Sequence, residues 1–341
     1  MRRRILGRTG IEVSELGFGS LFTSSLGPGF EVSRRAVHRA VELGINYFDT
    51  APGYANSEEV LGRILADIDA PLVVSTKLGG RPQPFDPRNP RQLRESVEES
   101  LRLLHREVID ILFIHEPDRP LQYNWWTDPA GVNGPVLDVL DDLKRRGIIR
   151  FTGLGGTTVT ELAHFVRSNR FDVVLTAFNY SALFREAAAE LLPNARERNI
   201  GIVLASVLQQ GALGRRYDDV VRGRPMWMSP ARQQQFQAFY QLLDDSNLSI
   251  VELCLRFAIS NPDASTVLIG PKTAEQVEQS VAAVNNGPLP SDVLARLDAI
   301  AAMLPCRPFE EPMILPFSSP GSYAGPGMAN LGVGAAVGKL G

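Results

Sequence analysis

Short runs of β-branched and aliphatic residues recur along the chain, each followed by a longer stretch whose apolar positions fall three and four apart. The first pattern is that of buried strands, the second that of amphipathic helices. The strand candidates span residues 16–20, 47–49, 72–77, 109–115, 151–154, 173–177, 202–205 and 266–270. Helix candidates follow at 33–43, 57–66, 90–104, 136–146, 159–168, 187–197, 249–260 and 274–285. Helix ends carry suitable punctuation: in "DDLKRRG" cations precede Gly147 and complement the C-terminal dipole. Strict alternation without a break in composition predicts a (β/α)8 TIM barrel, with a doubly wound parallel sheet as its competitor.

Two segments stand outside the alternation. "RRILGRTGIEV" reads as an N-terminal β-hairpin turning at Thr9-Gly10, ready to cover the N-terminal mouth of a barrel spanning residues 1–305. Residues 306–341 are rich in Gly, Pro, Ala and Ser and lack periodicity, which predicts an irregular tail or lid.

Composition narrows the function classes. A net charge of −3 gives no footprint for nucleic acid or an anionic membrane, and no apolar run approaches the length of a membrane span. Cys254 and Cys306 are too few for a disulfide framework or a cysteine-based metal site, so a cytoplasmic location is expected. The basic start "MRRRILGRTG" has no apolar core and is not a signal peptide. A homo-oligomer is left open.

Barrel enzymes place their chemistry where strands end. Asp49 closes the second strand, Lys77 the third and His115 the fourth, while Tyr54 lies in the loop after Asp49. Each alone has an ordinary explanation as a turn cap, a solvated strand end, a hydrogen-bonded terminus or a wet-tipped aromatic. Three ionisable groups ending three consecutive strands, however, converge on one barrel face. Tyrosine titrates at about pH 10 and needs a nearby cation to move protons at neutral pH. Lys77 supplies that cation, Asp49 holds it, and His115 orients a carbonyl or shares the proton. No nucleophile, metal cluster or electron source accompanies them, so the set suits proton transfer to an oxygen while a cofactor moves a hydride.

In that order and at those strand ends, Asp49, Tyr54, Lys77 and His115 resemble the tetrad of the aldo-keto reductases. "LGRTGIEVSELGFGS" is similar to that family's hairpin and first strand, "FDTAPGYANSEEVLG" to its Asp-to-Tyr signature, and "SVEESLRLLHREVIDILFIHEPD" to its helix-strand-His segment. The resemblance runs over residues 5–304. It implies a barrel that binds NADP(H) in an extended pose, with Tyr54 as general acid/base. A Rossmann unit is not expected, because "GLGGTT" lacks the third glycine of G-x-G-x-x-G; Gly155 and Gly156 read as a backbone surface for nicotinamide or as a tight turn.

For the adenosine half, "VLIGPKTAEQVEQSV" resembles the family's gripping segment. The resemblance implies that Gly270 and the helix N-terminus at Thr273 receive phosphate. It places Lys272 on the 2′-phosphate and Gln276, Gln279 and Ser280 near ribose and adenine. One cation favours NADP(H) and leaves NAD(H) open. Where the family commonly holds nicotinamide with Ser-Asn, Gln and a stacking Tyr, this chain has Gly155-Gly156, Leu175 and Ser206. Asn179 and the "QQGAL" segment, with Gln209, Gly211 and Leu213, read as retained elements or substitutes. These departures, with the "H-x-P-D" run from His115 to Asp118, point to branches resembling aldose and sugar dehydrogenases.

The loop "EPDRPLQYNWWTDPAGVNG" brings Tyr123, Trp125 and Trp126 near Asp118, Gln122 and Asn124. Aromatic faces among polar groups suit a polyol; the alternative is a loop packing its own aromatics. Met226, Trp227 and Met228 offer a second wall or an oligomer contact. The expected activity is hydride transfer between NADP(H) and the carbonyl or hydroxyl carbon of a sugar or related compound. A broad reductase of small aldehydes and a non-catalytic NADP(H)-binding subunit are the alternatives.

Overall fold

Two short antiparallel strands, β1 (Arg3–Ile5) and β2 (Glu12–Ser14), open the chain and pair Arg3 with Ser14. Eight parallel strands follow: β3 (Leu16–Gly19), β4 (Tyr47–Asp49), β5 (Val73–Leu78), β6 (Ile109–His115), β7 (Ile149–Gly156), β8 (Val173–Ala177), β9 (Gly201–Ala205) and β10 (Thr266–Ile269). They close in sequence order, with β10 pairing β3, so the doubly wound alternative is excluded. This computed structural model describes residues 1–308, 311–312 and 314–317. Among them, no helix is long and apolar enough to cross a membrane.

The helices are α1 (Phe30–Glu42), α2 (Ser57–Leu65), α3 (Pro90–Leu104), α4 (Pro135–Arg145), α5 (Val159–Arg167), α6 (Leu191–Glu197), α7 (Asp218–Gly223), α8 (Pro230–Ser246), α9 (Ile250–Ser260), α10 (Ala274–Asn285) and α11 (Ser291–Ala302). Strands covered by helices on one side and filled by side chains on the other are mostly apolar, which is why they read as short apolar runs. Tyr47, Ile111, Phe113, Val173, Leu175 and Val203 fill the barrel interior, and Leu6 and Val13 of the hairpin plug it from below. The hairpin connection is wider than a Thr9-Gly10 turn: Gly7–Thr9 form a 3₁₀ turn closed by Gly10 at φ +68°.

Helices α7, α8 and α11 are absent from the sequence pattern. In α8 the reason is chemical, because its buried face carries Arg232 and Gln235 among Phe236, Phe239 and Leu243. Trp227 and Met228 are buried in that same core, whereas Met226 is exposed. Of the tail expected at residues 306–341, only 306–308, 311–312 and 314–317 are among the described residues. Within that part Glu311, Leu315 and Phe317 are buried against the α8 region.

Candidate active site

Register brings the strand ends together: Asp49 lies opposite Ser75 on β5, and His115 opposite Gly155 on β7. Lys77 Nζ donates to Asp49 Oδ2 at 2.6 Å and to the Thr50 carbonyl at 2.7 Å. Ser75, two residues before Lys77 and on the same face of β5, donates to Asp49 Oδ1 at 2.7 Å. Both carboxylate oxygens are therefore engaged. Burial works against the Lys77 cation, but Asp49 and the Tyr54 hydroxyl outweigh it and raise its pKa.

Tyr54 returns over this pair through the Pro52-Gly53 turn. Its ring centre lies 4.8 Å from Lys77 Nζ, and its ring meets that of His115 edge-on at 5.9 Å. The loop is pinned from beneath, because Ser57 Oγ donates to the Ser20 carbonyl at 2.7 Å and accepts from Thr50 Oγ1 at 2.9 Å. Burial raises the Tyr54 pKa, and the Lys77 charge opposes the rise. Burial, reinforced by Lys77 and Arg119, pushes His115 down to about 3, so its imidazole is neutral at physiological pH. One carbonyl oxygen placed between Tyr54 and His115 can meet a lysine-backed phenol and a neutral imidazole together.

Tyr123 completes one wall. A Cβ added at Gly79 would lie 3.3 Å from its ring and 3.4 Å from His115 Cβ, so the ring rests on the Gly79-Gly80 backbone beside His115. Its tryptophan neighbours behave differently from the polyol expectation. Trp125 is fully buried and donates its indole N–H to the His115 carbonyl at 2.9 Å; Trp126 packs on Phe165 and donates to the Pro117 carbonyl at 3.0 Å. Both hold the loop in place and offer no free face to a substrate. Asp118 is likewise occupied, accepting from the backbone N–H groups of Thr157 at 2.9 Å and Thr158 at 2.5 Å. Asn124 binds the Arg88 side chain.

A sequence profile described as the Aldo/keto reductase family matches residues 15–302. The chain belongs to the aldo/keto reductase family. It is similar to L-galactose dehydrogenase of Arabidopsis thaliana, 32% identical over 293 residues covering 82% of this chain and 87% of the relative. Similarity extends to D-threo-aldose 1-dehydrogenase of a Pseudomonas species, 28% identical over 232 residues covering 60% and 68%. Among solved structures, aldo-keto reductase AKR11C1 from Bacillus halodurans (holo form) superposes with a TM-score of 0.70 at 25% identity, covering 89% of this chain and 97% of the other.

An aldo/keto reductase is an oxidoreductase built around a nicotinamide cofactor, and part of the expected strip in this one fits such a group. Gly155 is buried but not crowded: an added Cβ would make only ordinary contacts, at 3.7 Å to Phe113 Cβ and 3.8 Å to Lys77 Cε. Gly211, at φ +94°, has nothing near its missing side chain. Gln209 is fully buried; its amide donates to the Phe178 carbonyl at 2.9 Å, and its Oε1 has no partner among the described residues. Asn179 donates to the Thr157 carbonyl at 2.8 Å, and Ser206 stands at φ +56° just past β9. Thr273 caps α10, Gly270 is exposed, and the Lys272 ammonium sits 4.5 Å above the Phe22 ring.

Three positions differ from expectation. Gly156 is packed from above, because a Cβ there would fall 2.2 Å from Asp118 Oδ1; its lack of a side chain serves the turn. Leu213 is fully buried in the core around α8. Ser280 turns its hydroxyl onto the Gln276 carbonyl of its own helix at 2.8 Å, and Gln276 in turn accepts from the Lys272 N–H, leaving Gln279 exposed. Sequence reasoning also passes over Ser75 and Thr50. The two-residue spacing of Ser75 from Lys77 is a signal that strand alternation makes readable.

Proposed function

We propose that this aldo/keto reductase transfers hydride between NADP(H) and the carbonyl or hydroxyl carbon of a sugar or related hydroxylated compound, with Tyr54 as general acid/base. The observation that carries the reading is the buried chain from Ser75 through Asp49 and Lys77 to Tyr54, beside a neutral His115. The nicotinamide, when bound, supplies or takes up the hydride. Tyr54 Oη gives its proton to the carbonyl oxygen in reduction and removes the hydroxyl proton in oxidation. Lys77 lowers the cost of the phenolate that reduction leaves, and Asp49 keeps Lys77 charged and aimed. His115, neutral, orients the substrate oxygen through a hydrogen bond. Gly155, Gln209 and Gly211 would hold the nicotinamide end, and Thr273 with Lys272 the phosphate end.

A sugar substrate is supported by the names of two relatives, L-galactose dehydrogenase and D-threo-aldose 1-dehydrogenase. The test follows cofactor absorbance with the purified chain, pairing NADP+ or NAD+ with aldoses and NADPH with simple aldehydes. Aldose oxidation is expected, preferring NADP+, and Tyr54→Phe should lower turnover roughly a hundredfold or more with cofactor affinity retained. Turnover confined to simple aldehydes would remove the sugar assignment; a fully active Tyr54→Phe would remove the role of Tyr54.

A further inference from the structure

Glu116 follows His115 directly, at the point where β6 opens into the pocket. Its backbone is left-handed at φ +48°, a conformation that a residue with a side chain adopts only when its surroundings impose it. What imposes it is visible on both sides. The Glu116 N–H extends the β6–β7 ladder to the Gly155 carbonyl at 2.7 Å, and the carboxylate is held by Arg119 Nε at 3.0 Å and Thr157 Oγ1 at 3.2 Å. Among the described residues, both of these side-chain bonds fall on Oε2.

The carboxylate is near the reacting groups as well. Its charge is felt at Tyr54 and at Tyr123, whose rings both lie beside that of His115, and Lys77 acts on it in return. Burial, only partly offset by Arg119, raises its pKa to about 7. Of the two other carboxylates near this end of the barrel, Asp49 has both oxygens taken by Ser75 and Lys77, while Asp118 is held through Oδ2 by the Thr157-Thr158 backbone and buries its Oδ1, unpartnered among the described residues, against Gly156. Glu116, directly after His115 and partly exposed, is thus the carboxylate placed to offer an oxygen to a ligand in the pocket.

We infer that Glu116 determines substrate specificity, its Oε1 accepting a hydrogen bond from a substrate hydroxyl near the reacting carbon while Arg119 and Thr157 fix the carboxylate through Oε2. This rests on the sugar reading above. A carboxylate so placed distinguishes hydroxylated from plain carbonyl compounds, because a buried acceptor without its partner penalises a substrate that lacks the hydroxyl.

The test compares wild type, Glu116→Gln and Glu116→Leu in the full-length chain, with L-galactose oxidation and propanal reduction as paired probes. The expected result is a KM for L-galactose that rises roughly tenfold in Glu116→Gln and further in Glu116→Leu, so that the ratio of the L-galactose to the propanal KM grows along the series. A ratio that stays constant while the wild type oxidises L-galactose overturns this assignment alone. A uniform loss on both probes also overturns it, since that marks a purely structural residue. A wild type that reduces propanal but leaves L-galactose and other aldoses untouched overturns the sugar reading and this assignment with it.

Discussion

Lys77 Nζ lies 2.6 Å from Asp49 Oδ2, and both side chains are almost wholly shielded from water. Burying two charges is tolerable only while each answers the other. Asp49→Ala should therefore cost about 3–5 kcal/mol of stability by leaving the ammonium unpaired. Adding Lys77→Met to that variant should recover much of the loss, since a neutral side chain of similar volume leaves no lone cation. Urea unfolding of the single and double variants measures both; a double variant less stable than Asp49→Ala would contradict the argument.

The two glycines that end β7 should respond in opposite ways. In Gly156→Ala the new methyl would fall 2.2 Å from Asp118 Oδ1, so the carboxylate must leave the Thr157 and Thr158 N–H groups. Losing charge-assisted bonds at buried backbone donors should cost at least about 2 kcal/mol. Gly155→Ala meets nothing closer than 3.7 Å and should change stability by less than about 1 kcal/mol. Unfolding midpoints taken side by side decide the matter, and equal costs would mean that Asp118 does not hold the turn.

Much of the barrel is legible in the chain because strands buried on both sides keep short apolar runs, as in residues 111–114 of β6. The meeting of Asp49, Lys77 and His115 is legible for a related reason: an ionisable residue ending such a run has little to do except at the open end of the barrel. Other features leave no mark in one dimension. Trp125 and Trp126 look alike to an aromatic platform until their N–H groups are seen bonded to the His115 and Pro117 carbonyls. Helix α8 hides behind buried Arg232 and Gln235, which break the apolar period that would announce it. The left-handed backbone of Glu116 is imposed by its surroundings and has no counterpart in residue type.

Arg232 and Glu311 form a two-pronged pair, Nε to Oε1 at 2.6 Å and Nη2 to Oε2 at 2.7 Å, with almost no exposure. Glu311→Ala strands a guanidinium inside the α8 core and should cost about 3–5 kcal/mol. Because Leu315 and Phe317 are buried in that same core, the variant should also let a protease cut the chain near residue 311 faster than in the wild type. Stability and cleavage rate both at wild-type levels would show that the pair does not fasten this segment.

His115 gives stability a pH dependence whose sign is fixed by the direction of its shift. Its pKa in the folded chain is about 3, below the ordinary value of 6.5, so between these values the unfolded chain binds a proton that the folded chain refuses. Stability from this group is thus fully kept above about pH 6.5 and drains as the pH falls, by up to about 1.4 kcal/mol per unit. In His115→Gln that drain is absent. The stability difference between wild type and His115→Gln should therefore shift against the wild type by up to about 2 kcal/mol between pH 7 and pH 5. Urea unfolding of both proteins across that range tests it, and a constant difference would mean that the imidazole is charged, or openly solvated, in the folded chain.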